Sequence, residues 1–285
     1  MAAGSFPKRS SGYDGPVLTE TAYAKINLAL HVRRRREDGY HELETLFAFV
    51  DDGDRLTACP SSQDELRTSG EFASGIDSPF DNIVAKALSA LPHGPGLAIE
   101  LEKRLPVAAG LGGGSADAGA VFRMIEQAHG LPDEWHARAA KLGADVPACV
   151  RSRACVGTGT GTQLQEVEND LAGTPVVLVN PRLPVPTGPV FKAWDGIDRG
   201  AMPGGSLRQI ASEGRNDLEM PALGLCPVIA EVLAALRETE PFLARMSGSG
   251  ATCFALYDEP AQAEAASAAL ASAHPGWWRM SGRLR

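Results

Sequence analysis

A cluster of glycines constrains the fold of this chain more than any other feature of its sequence. Residues 105–119 read LPVAAGLGGGSADAG, so glycine fills four of the five positions from Gly110 to Gly114, directly before an alanine-rich stretch. Glycine loses more conformational freedom on folding than any other residue, so the cluster is destabilising unless the backbone itself is used. The obvious use is to bring main-chain N–H groups close to an anion at the start of a helix.

The loop matches neither of two common phosphate-binding patterns. A Walker A loop requires G-x-x-x-x-G-K-[ST], and no lysine follows these glycines. A dinucleotide fingerprint requires G-x-G-x-x-G after the first strand, whereas Ser115 occupies the last position here. Ser115 is expected to cap the following helix, with Asp117 in its first turn. From the glycines alone, a tight strand-to-helix turn and a phosphate site are equally good interpretations, and the helix start favours the phosphate.

The composition is that of an acidic globular protein. The 285 residues are 44% hydrophobic and 22% charged, with a formal net charge of −8, which argues against broad nucleic-acid binding. Five cysteines without a C-x-x-C pair are predicted to be free thiols in a reducing compartment. No apolar run approaches the roughly 18 residues of a membrane span. Residues 1–19 are predicted to be a disordered lead-in, and we expect a cytoplasmic protein.

Hydrophobic periodicity predicts the main strand near the start of the chain. Residues 21–32 alternate with a period of two, which indicates a half-buried strand with Lys25, Asn27 and His31 on its polar face. The four arginines at 33–36 are expected to form a solvated hairpin tip.

The remaining chain mixes strands and helices without steady alternation, which favours the α+β class. Further strands are predicted over 40–50, 97–101, 174–181 and 276–284, and helices over 81–91, 115–130, 132–143, 226–240 and 259–273. Asp81 and Asn82 are expected to cap the first of these helices. The Pro/Gly-rich stretch 181–206 is predicted to connect two lobes.

Eight motifs, taken in order, resemble the GHMP kinase superfamily of small-molecule kinases. They are AKINLALHV, DGYHELETLF, DNIVAKA, the glycine loop, LGADVPACV, PTGPVF, NDLE and MSGSGA, and they cover about residues 20–285. The resemblance implies an α+β, two-lobed GHMP kinase fold. Its N-terminal lobe, over 20–172, would be ribosomal protein S5 domain 2-like and bind ATP, and its C-terminal lobe, over 173–285, would be ferredoxin-like.

The same resemblance implies a reaction and its ligands. ATP with Mg²⁺ would donate a phosphate to a hydroxyl of a small molecule, and DGYH and PTGPVF point to a cytidine diphosphate alcohol as the acceptor. The protein would be a monomer or weak homodimer without a nucleic-acid or membrane partner. No protein side chain is assigned as a dedicated metal ligand, although Ser115 and water are the expected contacts of magnesium.

The resemblance also implies roles for individual residues. Asp145 would be the catalytic base and Lys25 its partner, although spacing alone favours a turn residue and a solvated lysine. The residues implied to hold ATP are Pro106, Val107, Ala108, Ala109, Gly110, Leu111, Gly112, Gly113, Gly114, Ser115 and Ala116. Those implied to bind the acceptor are Asn27, Tyr40, His41, Phe191 and Gly248, with the Tyr40 and Phe191 rings on either side of the cytosine.

Two departures and two alternatives accompany this interpretation. GTGTGTQ at 157–163 lacks the glutamate expected after its second glycine, and Ala108-Ala109 stands where a glycine is common. A homoserine- or mevalonate-type kinase would share the chemistry but would not need the aromatic pair. A non-catalytic nucleotide-binding homologue would not need Lys25 and Asp145.

Overall fold

The computed structural model describes residues 16–75, 82–94 and 96–285, and the strands in these ranges form two sheets. The strands of the first sheet are β1 (Leu18–Arg35), β2 (His41–Pro60), β3 (Glu65–Ser69), β4 (Leu97–Glu102), β5 (Cys155–Thr158) and β6 (Gln163–Glu166). Those of the second are β7 (Pro175–Asn180), β8 (Leu243–Met246), β9 (Cys253–Leu256) and β10 (Trp278–Arg283). The first sheet has the order β3-β4-β2-β5-β6, with β1 paired to β2, and the second has the order β10-β7-β9-β8.

Helices pack on both sheets, so the α+β class predicted from the sequence is confirmed. They are α1 (Ile83–Ala90), α2 (Gly113–His129), α3 (Trp135–Leu142), α4 (Val146–Arg151), α5 (Thr187–Ala193), α6 (Leu207–Glu213), α7 (Glu219–Leu225), α8 (Val228–Arg237) and α9 (Pro260–Ala273). Asn82 caps α1 as predicted, since its Oδ1 accepts a hydrogen bond from the Val84 N–H at 2.8 Å. Asp81, the other predicted cap, lies outside the described residues. The short elements β3, α4, α6 and α7 were not predicted, because few residues give too little periodicity to detect.

The prediction that β1 is half-buried is wrong. Lys25, Asn27 and His31, which were placed on a polar face, are 3%, 2% and 0% exposed. The apolar residues Ala24, Ile26 and Leu28 pack towards the second sheet, in one cluster with Leu178 and Phe254. The polar side is covered by the glycine loop, by the loop between β8 and β9, and by residues 200–215. Periodicity identifies the strand, but distant parts of the chain decide that both of its faces are covered.

The predicted connection between lobes is also misplaced. The chain crosses from the first sheet to the second between β6 and β7, at residues 167–174. The stretch 181–206 follows β7, contains α5 and lies against the β1–β2 hairpin. Proline and glycine indicate irregular backbone, but they do not indicate which elements the segment joins.

Two smaller expectations concern cysteines and chain ends. The five cysteines form no disulfide, as predicted. β1 begins at Leu18, so the predicted lead-in over 1–19 ends slightly too late, and residues 1–15 lie outside the described ranges. In those ranges, no helix combines the length and the apolar character that crossing a membrane requires.

Candidate active site

A cavity of about 1050 Å³ lies between the glycine loop, the β1–β2 hairpin and α5. Sites for a single small ligand measure roughly 300–1,000 Å³, so this cavity has room for two ligands or one long one. Its lining includes Lys25 and Asp145, the glycine loop, and the rings of Tyr40, His41 and Phe191.

The structure brings Lys25 and Asp145 together from positions 120 residues apart in the chain. Lys25 Nζ lies 3.0 Å from Asp145 Oδ2 and donates a hydrogen bond to Asn27 Oδ1 at 2.9 Å. The Phe47 ring centroid is 5.3 Å from the same nitrogen. These contacts orient the ammonium, and its charge in turn orients the carboxylate, which keeps 33% of its side chain exposed towards the cavity.

Local backbone structure explains why the two side chains point into the cavity. The pairing of β1 with β2 shifts register between Tyr23 and Lys25, which places Lys25 beside the glycine loop, where its N–H donates to Leu111 O at 3.0 Å. Asp145 occupies the N-cap position of α4, but its side chain makes no capping hydrogen bond, so the carboxylate is free to face Lys25.

Asn27 orients the lysine. Its Oδ1 accepts from Lys25, and its Nδ2 donates to the Thr45 hydroxyl at 2.8 Å, which itself donates to Ala29 O at 2.8 Å. Thr45 was not singled out from the sequence. Its position within the apolar run of β2 is the signal that was available, because a buried hydroxyl requires a partner.

The glycine loop is held from below by the loop between β8 and β9. The Ser247 hydroxyl donates to Gly110 O at 2.7 Å, and the Thr252 N–H donates to Ala109 O at 3.1 Å. Gly110 has φ +75°, and a Cβ there would overlap the backbone oxygen of Ser247. Gly112 has φ +60°, and a Cβ there would lie 2.9 Å from Lys25 Cε. Gly110 is therefore required by conformation and by space, and Gly112 by its conformation.

The expected cap of α2 is wrong. The helix begins at Gly113, with Gly112 at the N-cap position, so Ser115 lies within the first turn and makes no capping bond. Asp117 lies beyond that turn and is 3% exposed. Consecutive glycines can adopt helical backbone angles, and here the helix extends two residues further back than the sequence indicated.

Most of the residues implied to hold ATP face the cavity. Those lining it are Pro106, Val107, Ala108, Ala109, Gly110, Gly112, Gly113, Gly114 and Ser115. Leu111 and Ala116 do not line it; each is 1% exposed and packs in the core, so neither side chain is available to a ligand.

A buried group of three charges beneath the glycine loop was missed by the sequence analysis. Lys103 Nζ forms ion pairs with Asp54 and, at 2.7 Å, with Asp117 Oδ2, and all three side chains are at most 4% exposed. Burial raises the pKa of Asp117 well above its usual value, while for Lys103 the two carboxylates outweigh burial and raise the pKa. Gly113 packs against this group, since a Cβ there would lie 3.5 Å from Lys103 Nζ. The three charged side chains therefore pack against the first residue of α2.

The far part of the cavity is aromatic. The His41 ring centroid lies 5.0 Å from that of Phe191 and 5.7 Å from that of Trp194, while the Tyr40 residue is 63% exposed. Burial lowers the pKa of His41, and the nearby Arg35 charge adds to the effect. His41 Nε2 is buried and has no hydrogen-bond partner within the described parts of the chain. The aromatic part of the cavity therefore contains one unsatisfied polar atom.

The loop between β8 and β9 closes the cavity near Asn27. Gly248, with φ +56°, lines it, and a Cβ there would lie 3.2 Å from Asn27 Oδ1.

Within the described ranges, no group of three or more His, Cys, Asp or Glu residues has metal-binding geometry. The oxygen donors that line the cavity include the Ser115 hydroxyl and the carboxylates of Asp145 and Asp117.

Comparisons with known proteins agree on one family. The model of the GHMP kinases N terminal domain matches residues 82–153, and the model of the GHMP kinases C terminal matches residues 203–276. A 4-diphosphocytidyl-2-C-methyl-D-erythritol kinase of Novosphingobium aromaticivorans is 69% identical over 268 residues, covering 94% of this chain and 93% of that protein. A protein of Erythrobacter litoralis with the same name is 63% identical, covering 94% and 100%.

Solved structures with a similar fold include a kinase of the same name as these relatives. A crystal structure of 4-(cytidine 5'-diphospho)-2C-methyl-D-erythritol kinase is similar with a TM-score of 0.76 and 34% identity, covering 94% of this chain and 99% of that one. A homoserine kinase from Cytophaga hutchinsonii has a TM-score of 0.64 at 17% identity, covering 97% and 98%, which shows a shared fold alone.

Proposed function

Because this chain belongs to the GHMP kinase family, we propose that it phosphorylates the 2-hydroxyl of 4-diphosphocytidyl-2-C-methyl-D-erythritol with ATP, in the non-mevalonate pathway to isoprenoid precursors. The observation that carries the proposal is the Lys25–Asp145 pair, whose charged atoms are 3.0 Å apart. The pair shares one cavity with the glycine loop and with an aromatic wall formed by Tyr40, His41 and Phe191. Relatives at up to 69% identity that carry this kinase name support the choice of acceptor.

We propose that the triphosphate of ATP lies along the glycine loop. The free N–H groups and the positive dipole end of α2 favour an anion there. Mg²⁺ would be held mainly by phosphate oxygens and water, with the Ser115 hydroxyl as the oxygen donor on the protein. When bound, the ion neutralises charge on the transferred phosphate.

Asp145 is proposed to accept the proton of the attacking hydroxyl. Phosphoryl transfer depends mostly on positioning and charge stabilisation, so an ordinary carboxylate suffices when it is held in place. Lys25 holds it at 3.0 Å and provides positive charge where negative charge develops. The buried Asn27 keeps that ammonium in position.

The aromatic wall is proposed to hold the cytidine. Tyr40, exposed at the edge of the cavity, would stack on the base with Phe191 as the opposing ring, and His41 Nε2 would bind the edge of the base. Stacking on an aromatic side chain contributes about 1–3 kcal/mol per base.

Lobe boundaries at 20–172 and 173–285 are proposed as well, and the crossing between sheets at 167–174 supports them.

The test is ATP consumption by the purified protein against a panel of alcohols. We expect turnover with 4-diphosphocytidyl-2-C-methyl-D-erythritol and none with homoserine or mevalonate. Turnover of homoserine or mevalonate, without activity on the cytidine compound, would contradict the assignment. Activity on none of them, with ATP still bound, would favour a non-catalytic homologue.

The cellular setting is also proposed. Free thiols suit a reducing compartment, so we propose that the enzyme acts in the cytoplasm, as a monomer or weak homodimer. Light scattering on the eluate of a size-exclusion column tests the oligomeric state.

A further inference from the structure

The arginines at the end of β1 have different partners on the two faces of the strand. Arg34 pairs with Glu42, and Arg36 pairs with Asp38, so both stay within the hairpin. Arg33 donates to Glu44 of β2 at 2.8 Å and also to Asp198 at 3.0 Å, and Arg35 reaches the end of α5. Among the hydrogen bonds of the described residues, only the face of Arg33 and Arg35 bridges to the stretch that follows β7. The sequence predicted that the four arginines form a solvated hairpin tip. Two of them instead bind residues of the stretch that follows β7.

Arg35 binds the carboxyl end of α5. Its Nη2 donates to the carbonyl oxygens of Lys192, at 3.0 Å, and of Trp194, which follows the last helical residue. Its guanidinium carbon lies 5.9 Å from the Trp194 ring centroid. The last carbonyls of a helix lack partners within the helix, and a cation there is also favoured by the helix dipole.

This contact joins the two elements that form the aromatic wall. α5 carries Phe191, the hairpin carries His41, and their ring centroids are 5.0 Å apart. Trp194, held through its carbonyl oxygen, packs edge-on against His41 at 5.7 Å. Arg35 itself lines the cavity beside them. Without its two hydrogen bonds, the end of α5 would lose an anchor to the hairpin.

We infer that Arg35 is a positioning residue for the acceptor: it anchors α5 to the β1–β2 hairpin, so that Phe191 and His41 together present a preformed site for the nucleobase. The inference rests on the proposed function and names a residue through which the cytidine is recognised. The inference predicts that loss of Arg35 weakens binding of the acceptor and leaves binding of ATP unchanged. Among the described residues, Arg35 forms no hydrogen bond with the glycine loop or with Lys25.

The test compares Arg35→Ala and Arg35→Lys with Arg34→Ala as the matched control. Arg34 is the neighbouring arginine, is 72% exposed and pairs only with Glu42 in the described ion pairs. Steady-state kinetics give KM for each substrate and kcat, calorimetry gives the affinity for cytidine diphosphate alone, and thermal unfolding checks the fold.

For Arg35→Ala we expect KM for the cytidine substrate to rise about tenfold or more, as loss of a charged hydrogen bond implies. KM for ATP and kcat should stay within about twofold of wild type, because the chemical centre is untouched. Affinity for cytidine diphosphate should fall in parallel. Arg35→Lys should recover part of the loss, since an ammonium keeps the charge but not the planar fork. Arg34→Ala should match wild type.

Two results would overturn the inference: an unchanged KM for the cytidine substrate in Arg35→Ala, or an equal rise in both KM values. If Arg35→Ala does not fold, Arg35→Lys carries the same test, and a wild-type KM in that variant would overturn it. Failure of the proposed function is recognised separately, because wild-type protein would then not phosphorylate the cytidine substrate before any variant is compared.

Discussion

Single residues in this protein depend on neighbours that are far away in the sequence. Lys25 is a strand residue and Asp145 a helix-start residue, and neither position is chemically special until the fold places them 3.0 Å apart. Their residue types were recognisable from the motifs, whereas Asn27 and Thr45, which orient Lys25, form a hydrogen-bonded chain visible only in three dimensions.

Replacing Asp145 with Asn should remove the proton acceptor and keep the shape. We expect ATP to bind nearly normally and kcat to fall by about two decades or more, the usual cost of losing a positioned base. ATP affinity by calorimetry and kcat with the cytidine substrate check this. Asp133→Asn, at an exposed site before α3, is the control and should behave as wild type. Near-full activity of Asp145→Asn would mean that another group accepts the proton.

Replacing Ala108 with Gly should stabilise the protein. Ala108 has φ +53°, a left-handed conformation that costs a residue with a Cβ about 1–2 kcal/mol. Glycine removes this cost, but it lowers the free energy of unfolding by about 0.4–1 kcal/mol because it gives the unfolded chain more conformational entropy. The free energy of unfolding should therefore rise by about 0.5–1 kcal/mol. Ala268→Gly, at an exposed position inside α9, should instead lower it by about 1 kcal/mol. Urea unfolding measures both, and a loss in Ala108→Gly would contradict the argument.

At the scale of elements, β1 shows what periodicity can and cannot predict. Its alternation identified a strand and the residues that share a face, but the polar face is buried by segments from other parts of the chain. His31 is an example: its Nδ1–H donates to Gly200 O at 3.2 Å, and its Nε2 accepts from the Arg215 N–H at 3.1 Å. Acceptance at Nε2 requires the neutral ring, with its proton on Nδ1.

This arrangement should make the fold sensitive to acid. Burial lowers the pKa of His31, and the nearby Arg215 charge adds to this, so the unfolded chain binds a proton more readily than the folded one. The free energy of unfolding should therefore fall as the pH drops below about 6.5, the unperturbed value of histidine. Urea unfolding at several pH values, for wild type and His31→Gln, measures the effect. The variant should lose less stability over this range; an identical pH dependence would exclude His31 as the cause.

At the scale of the whole molecule, one cavity combines the glycine loop, the Lys25–Asp145 pair and the aromatic wall. The proposed function assigns ATP to the glycine loop and the cytidine to the aromatic wall. The two-lobed GHMP kinase fold predicted from the motifs is confirmed. It explains this layout, because β1 and β2 of the first sheet line the cavity together with α5 and the loop between β8 and β9. Changes at the glycine loop or at the aromatic wall should therefore affect one substrate.

Tyr40→Ala tests this separation. We expect KM for the cytidine substrate to rise by about one to two decades, from the loss of about 1–3 kcal/mol of stacking, with KM for ATP unchanged. Met220→Ala, which removes another exposed large side chain, is the control and should match wild type. Steady-state kinetics with each substrate varied in turn provide the measurement. An equal loss for both substrates would contradict a stacking role.

The sequence by itself determined the class of fold, the main strands and helices and the glycine loop, because each depends on local residue types and their spacing. Its motifs pointed to Lys25 and Asp145 only through their resemblance to a known family, since spacing alone favoured a solvated lysine and a turn residue. The tertiary structure alone decided that β1 is buried on both faces, that Lys103 pairs with Asp54 and Asp117 beneath α2, and that Arg35 anchors α5. Such contacts join segments tens to hundreds of residues apart. Local backbone preference carries no information about which distant surfaces will meet, because that is settled by packing of the whole chain.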